Sequence, residues 1–226
     1  MKKRGRAIVA ILSAALVFTA ISGILPTFGA ATQKEAISAE TQYAAAGRSM
    51  LYIRCFYESG GLKTTGSGFI IDSDGLAVTA AHVIDKAARV TATDPSGKEM
   101  ECTVISCDTA SDVAILRLPR GSYKALKLSE KAESGGAVLR AMGYPIKDTL
   151  VITEGLLSSP SGTVNEKQRM LVSCDIVNGM SGGPIFDRYG KVVGVCSGSV
   201  RTMNGIHLSV MWSDLSAAVK AAKSSK

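Results

Sequence analysis

From residue 50 onward the chain reads as short apolar runs separated by turn residues, with the length and β-branched content of strands rather than helices. MLYIRCFY, SGFIID, GLAVTAAHVI, RVTATD, ECTVISC and DVAILRL predict a first block of six strands. Gly60 and Gly61, Asp74 and Gly75, and Pro95, Ser96 and Gly97 supply the turns between them. A polar stretch, LSEKAESGG, precedes a second six-strand block: AVLRAMGY, TLVITEGLLSS, RMLVSCDIV, PIFD, KVVGVCSG and GIHLSV. Two all-β halves of this size predict two small closed barrels with a cleft between them, an arrangement that removes exposed sheet edges. Residues 212–223 return to helical spacing, with Ser213 or Asp214 as the N-cap and lysines in the last turn.

The chain begins differently. Lys2, Lys3, Arg4 and Arg6 precede an uncharged apolar run from Ala7 to Leu25, the layout of an export signal or a membrane anchor. Gly29 and Ala31 offer small residues before a cleavage at Thr32, and cleavage is preferred over retention. Either outcome places the working part outside the cytoplasm, secreted or held by the N-terminal segment, with no other contact to a membrane. Residues 32–47 are rich in Ala, Glu and Gln without a continuous apolar stripe and read as a short helix or tether ended by Gly47. The expected organisation is therefore a signal peptide or anchor over 1–31, a tether over 32–47, barrels over 48–128 and 129–211, and a helix and tail over 212–226.

The net charge of +7 suggests nucleic acid only until the charges are placed. The four N-terminal cations and Lys220, Lys223 and Lys226 account for all of it, so the 19 remaining basic residues balance 19 acidic ones. The body is formally neutral, which implies no basic face and no nucleic-acid partner. Five cysteines leave at least one thiol without an intrachain partner, and with only two histidines and no C-x-x-C pair neither a metal site nor a cofactor is expected.

Three segments set a reactive polar residue beside glycine or strand residues: TAAHVID, DTASDVAILRL and NGMSGGPIFD. They carry His82, Asp112 and Ser181, in one of the chain orders in which a nucleophile, its base and an orienting carboxylate occur. A serine hydroxyl is a weak nucleophile and needs a base within hydrogen-bond reach. Acyl transfer also needs backbone N–H groups converging on a developing oxyanion, and those of Gly179 and Ser181 are the candidates.

The blocks GSGFIIDSDGLAVTAAHVI, DTASDVAILRL and GMSGGPIFDRYGKVVGV resemble the signature blocks of trypsin-like serine proteases, in particular the HtrA/Deg branch. The likeness runs from about residue 49 to 211 and extends to GYP at 143–145, ITEGLLSS at 152–159 and the last strand. It implies an all-β, double six-stranded Greek-key β-barrel with a C-terminal helix. It also implies a serine endopeptidase acting on protein or peptide substrates, with His82 as base, Asp112 as its partner, Ser181 as nucleophile and Gly179 and Ser181 as oxyanion hole. The alternative is a protease-like module that binds peptides with weak or no catalysis. Substrate-binding candidates are Ser197, Gly198 and Ser199 as the edge that pairs with substrate, and His207 and Asp175 near the primary pocket. The chain departs from the branch in having Met180 where Asn is usual, a shorter stretch before Gly179 and no room for a PDZ domain, so PDZ-driven assembly is not implied and oligomerisation stays open.

Overall fold

The structure, a computed structural model, describes residues 35–200 and 203–224. The first block forms β1 (Met50–Phe56), β2 (Leu62–Ile70), β3 (Leu76–Ala80), β4 (Arg89–Thr93), β5 (Glu99–Glu101), β6 (Thr103–Asp108) and β7 (Val113–Arg117). They make one curled antiparallel sheet in the order β5-β4-β1-β2-β3-β7-β6. This is one strand more than the hydrophobic pattern indicates, because ECTVISC is two strands hinged at Cys102. The Cys102 amide donates to Val90 O at 2.9 Å and its side chain is buried, so the chain bends inward there and the ladder breaks.

The second block forms β8 (Val138–Ile146), β9 (Thr149–Val164), β10 (Lys167–Val172), β11 (Pro184–Asp187), β12 (Val192–Ser199) and β13 (His207–Ser209). These six close into a barrel in the order β10-β13-β12-β11-β8-β9. Each sheet has its own apolar interior, around Leu51, Ile53 and Leu116 in the first and Leu139, Val172 and Met180 in the second. A third cluster joins them, in which Met50, Phe69 and Ile115 of the first sheet meet Met142, Phe186 and Val195 of the second. The expected double barrel is thus held together by buried apolar surface between its halves, the dominant stabilising contribution in a fold of this size.

Helices cap this body. In α1 (Ala39–Gly47) the Ser38 hydroxyl accepts from the Thr41 amide at 3.1 Å, which satisfies one of the free N–H groups of the first turn. Gln42 and Ala46 are buried, and Arg140 of β8 donates to Ile37 O and to Gln42 Oε1 at 3.0 and 2.9 Å. Residues 39–47, read from the sequence as a short helix or tether, form a docked helix whose inward face holds the polar Gln42 beside Ala46 in place of an apolar stripe. The final helix, α3 (Trp212–Ser224), starts before the expected caps, so Ser213 and Asp214 lie inside its first turn. Leu215, Val219 and Ala222 face the interior and Trp212 Nε1 donates to Ser129 O at 3.1 Å. No helix among the described residues is long and apolar enough to cross a membrane. The run from Ala7 to Leu25 and the expected cleavage before Thr32 lie outside the described residues.

Candidate active site

His82 lies in the single turn α2 (Ala81–Ile84), at the end of a β3 strand that is buried at every residue. Asp112 enters β7 with φ at 65°, in the left-handed region that Asp tolerates better than most residues. That turn aims its carboxylate at α2. Asp112 Oδ1 accepts the His82 backbone N–H at 2.9 Å, and its two oxygens lie 3.0 and 2.9 Å from His82 Nδ1. An ionised carboxylate only accepts, so the proton sits on Nδ1 and Nε2 is the basic nitrogen. The Ser197 hydroxyl donates to Asp112 Oδ2 as well.

The electrostatics follow from this set. Burial alone pushes the Asp112 carboxyl up, but the hydrogen bond and electrostatic attraction of the His82 ring, with the Ser197 hydroxyl and the His82 amide, outweigh it and hold the group below its ordinary value. Its side chain is 8% exposed, whereas that of His82 is 47% exposed, so the orienting group is withdrawn from water while the imidazole stays accessible.

Ser181 sits in the turn between β10 and β11, flanked by Gly179 and Gly182 with φ of 91° and 87°. Both glycines are required by space as well as by dihedral angle. A Cβ on Gly182 would lie 2.2 Å from Ser67 O, and one on Gly179 would lie 2.6 Å from Tyr144 O. Ser67 of β2 stitches the turn to the first sheet: its amide donates to Ser181 O at 2.8 Å and its hydroxyl to Gly179 O at 2.7 Å, while that hydroxyl accepts from Tyr144 N at 2.8 Å. With the Gly179 carbonyl held and Met180 N bonded to Val177 O at 3.0 Å, the Gly179 and Ser181 amides have no protein acceptor among the described residues. Two unengaged N–H groups beside a serine are what an oxyanion site requires.

Gly66 locates the serine relative to the histidine. A Cβ there would meet Val83, the neighbour of His82, at 2.7 Å and Ser181 O at 3.0 Å, so the turn and α2 press on the same point of β2. No hydrogen bond joins Ser181 Oγ to His82 among the described residues, a separation common in substrate-free sites, where such bonds tighten on binding. Met180, unexpected at its position by resemblance, is fully buried in the second barrel and anchors the turn from below.

The remaining candidates gather on β12, β13 and the turn after β10. Ser197, Gly198 and Ser199 end β12; Cys196 still exchanges backbone hydrogen bonds with Gly182 and Gly183, and beyond it Gly198 and Ser199 pair with β13 alone. His207 pairs with Val172 on one side and Ser199 on the other. Its Nε2 lies 3.6 Å from Asp175 Oδ1, and its Nδ1 is buried without a partner. Two residues expected as alternatives are thus neighbours. Two contributions were missed from the sequence: Ser67, whose signal was the GSG triplet inside a strand, and the second role of Ser197, which spans 85 positions and has no local signal. No group of His, Cys, Asp and Glu side chains fit to hold a metal ion occurs among the described residues.

A family model described as "Trypsin-like peptidase domain" matches residues 66–195, more than half of the chain. The chain belongs to the trypsin-like peptidase family. Among curated proteins, this trypsin-like domain is 31% identical over 139 residues to one from Halomonas elongata named "Probable periplasmic serine endoprotease DegP-like", covering 60% of this chain and 29% of the relative. A protein of the same name from Pseudomonas putida F1 is 34% identical over 140 residues, covering 60% of this chain and 29% of the relative. The chain thus spans under a third of the length of these relatives. The crystal structure of the serine endoprotease from Yersinia pestis superposes with a TM-score of 0.71 at 22% identity, covering 83% of this chain and 67% of that one, a likeness of fold.

Proposed function

We propose that the protein is an extracytoplasmic serine endopeptidase that hydrolyses peptide bonds through Ser181, His82 and Asp112. Nε2 of His82 takes the Ser181 proton as Oγ attacks the scissile carbonyl, and the Gly179 and Ser181 amides stabilise the oxyanion. The same imidazole returns the proton to the leaving amine, leaving an acyl-enzyme. Water, deprotonated by His82, then cleaves the ester and restores Ser181. Asp112 keeps the productive tautomer and stabilises the imidazolium without taking the proton. No step uses a metal or cofactor.

The observation that carries this reading is the hold of both Asp112 oxygens on Nδ1, which leaves Nε2 without a protein partner among the described residues. Ser181→Ala tests it. Peptide cleavage should fall by at least ~10⁴-fold with the fold intact, and Ser181 should react with a fluorophosphonate in the unaltered chain. Undiminished cleavage by the pure variant would sink the assignment, and absence of labelling would favour the peptide-binding alternative.

Substrate is proposed to pair along Ser197, Gly198 and Ser199 as an added strand. Asp175, its side chain 78% exposed beside the His207 ring, gives the pocket a negative group that favours Lys or Arg at the scissile bond. Comparing otherwise identical peptides with Lys or Arg, Glu or Gln, and Val or Ala there checks it. Asp175→Asn should remove the basic preference, and an unchanged ranking would return Asp175 and His207 to a structural role.

A further inference from the structure

Asp112 reaches its place through a short segment, 108–112, that leads from β6 into β7 and ends in the left-handed conformation of Asp112 itself. A non-glycine residue with φ at 65° persists only where its surroundings over-determine it. Part of the hold is local. Asp108 Oδ1 accepts the Ala110 amide at 2.9 Å and its Oδ2 accepts the Ser111 hydroxyl at 2.6 Å, which fixes the turn, and the Ala81 amide donates to Asp112 O at 3.2 Å.

The rest of the hold comes from the second barrel. Lys167 Nζ of β10 donates to Thr109 O at 2.7 Å, and Arg169 Nη2 donates to Ala110 O at 3.1 Å. Residues two apart on a strand share a face, so β10 presents both cations to the segment. Arg169 is itself fixed: its Nη1 donates to Gln168 O at 2.7 Å and the residue is 5% exposed. Neither cation forms an ion pair among the described residues. A guanidinium withdrawn from water costs free energy unless hydrogen bonds replace its hydration, and what Arg169 meets is the backbone that carries Asp112. The Ser111 hydroxyl and the Ala110 amide hold the Asp108 carboxyl below its ordinary value, and the Arg169 charge adds to them. Beyond Arg169, β10 runs on into the turn that bears Ser181, so one strand touches the segment of the carboxylate and supports that of the nucleophile.

We infer that Arg169, assisted by Lys167, is a positioning residue for Asp112: it fixes, from the second barrel, the segment that aims the carboxylate at His82 Nδ1. It touches no reacting atom. The inference rests on the reading of Ser181, His82 and Asp112 given under the proposed function. Without the guanidinium the local turn at Asp108 survives, but the Asp112 oxygens no longer stay on Nδ1 and the imidazole loses its single tautomer.

The test uses the full chain, with steady-state peptide cleavage and nitrogen NMR of the histidine-labelled protein, which reports the ring nitrogen that carries the proton. The chain has two histidines, and His82→Ala assigns the signals. In the parent the His82 proton should sit on Nδ1. Arg169→Met should shift it toward Nε2 and lower kcat about tenfold or more with KM changed less than about twofold. Arg169→Lys, which keeps a donor toward Ala110 O, should recover most of both. If Arg169→Met does not fold, Lys167→Met decides, because it replaces an exposed side chain, and it should lower kcat about two- to threefold with the same drift of tautomer. An unchanged kcat and tautomer in the folded variant, or a loss carried wholly by KM, would overturn the inference and leave Arg169 as a fastener between the barrels. A parent that cleaves no peptide and takes no fluorophosphonate at Ser181 would instead overturn the catalytic reading, and the tautomer would still decide the role of Arg169.

Discussion

Asp112 shows how one residue ties the chemistry of the site to the stability of the fold. Withdrawn from water, its carboxylate survives because the His82 ring, the His82 amide and the Ser197 hydroxyl all donate to it. In the folded chain it therefore loses its proton more readily than in the unfolded chain, where the ordinary value of about 3.9 applies. The stability this supplies is complete above that ordinary value and disappears as pH falls through the lower folded value. Asp112→Asn should accordingly lower the melting temperature at neutral pH and flatten its decline between about pH 5 and 2. Melting curves across that range check it, and an acid limb as steep in the variant as in the parent would contradict the assignment. Cleavage should fall in the same variant by about 10⁴-fold, because the amide permits the wrong imidazole tautomer.

At the scale of elements, legibility followed apolar periodicity and failed where polar contacts decide the structure. The strands of the second barrel stand where the pattern put them, since runs such as KVVGVCSG are buried on both faces and have no other stable use. The hinge at Cys102 left no trace, because a buried cysteine inside a strand-like run looks the same whether the ladder continues or breaks. In α1, the side-chain oxygen of buried Gln42 is held by Arg140 from 98 positions away, so the buried face carries no hydrophobic signal. The His82, Asp112 and Ser181 motifs were readable because each brings its own glycine or strand context. The Ser67 stitch and the His207 and Asp175 pairing arise only on folding.

Arg140 tests the docking of α1 directly. It is 8% exposed, and its guanidinium reaches Ile37 O, Gln42 Oε1 and, at 2.7 Å, Glu154 Oε2. Arg140→Met keeps most of the apolar stem and strands these acceptors, which should cost about 1–3 kcal/mol of unfolding free energy. Hydrogen exchange should rise across residues 37–47 while β11 and β12 keep their protection. Uniform exchange changes over the whole body would mean that α1 is an integral part of the core rather than a layer fastened to it by one arginine.

The whole molecule must keep five thiols intact in a compartment that oxidises them, if the basic start and the apolar run to Leu25 carry it across a membrane. The fold answers by burial. Cys55 and Cys102 are pushed up to about 12 and Cys174 to about 11, each by desolvation, and Cys196 is pushed further in the same direction. The thiolate is the species that reacts, so these four are protected both by access and by protonation. Cys107, on the exposed strand β6, is the one exposed cysteine among the described residues, though partial burial raises its thiol too. Native protein recovered from the extracytoplasmic fraction should therefore take up one equivalent of iodoacetamide, at Cys107, and five after unfolding without reductant. Mass spectrometry of the same sample reads the amino terminus, with a start near Thr32 marking cleavage and an intact terminus in the membrane fraction marking an anchor. Fewer than five equivalents after unfolding would mean that a disulfide forms on export, and recovery of the folded chain from the cytoplasm alone would refute the proposed location.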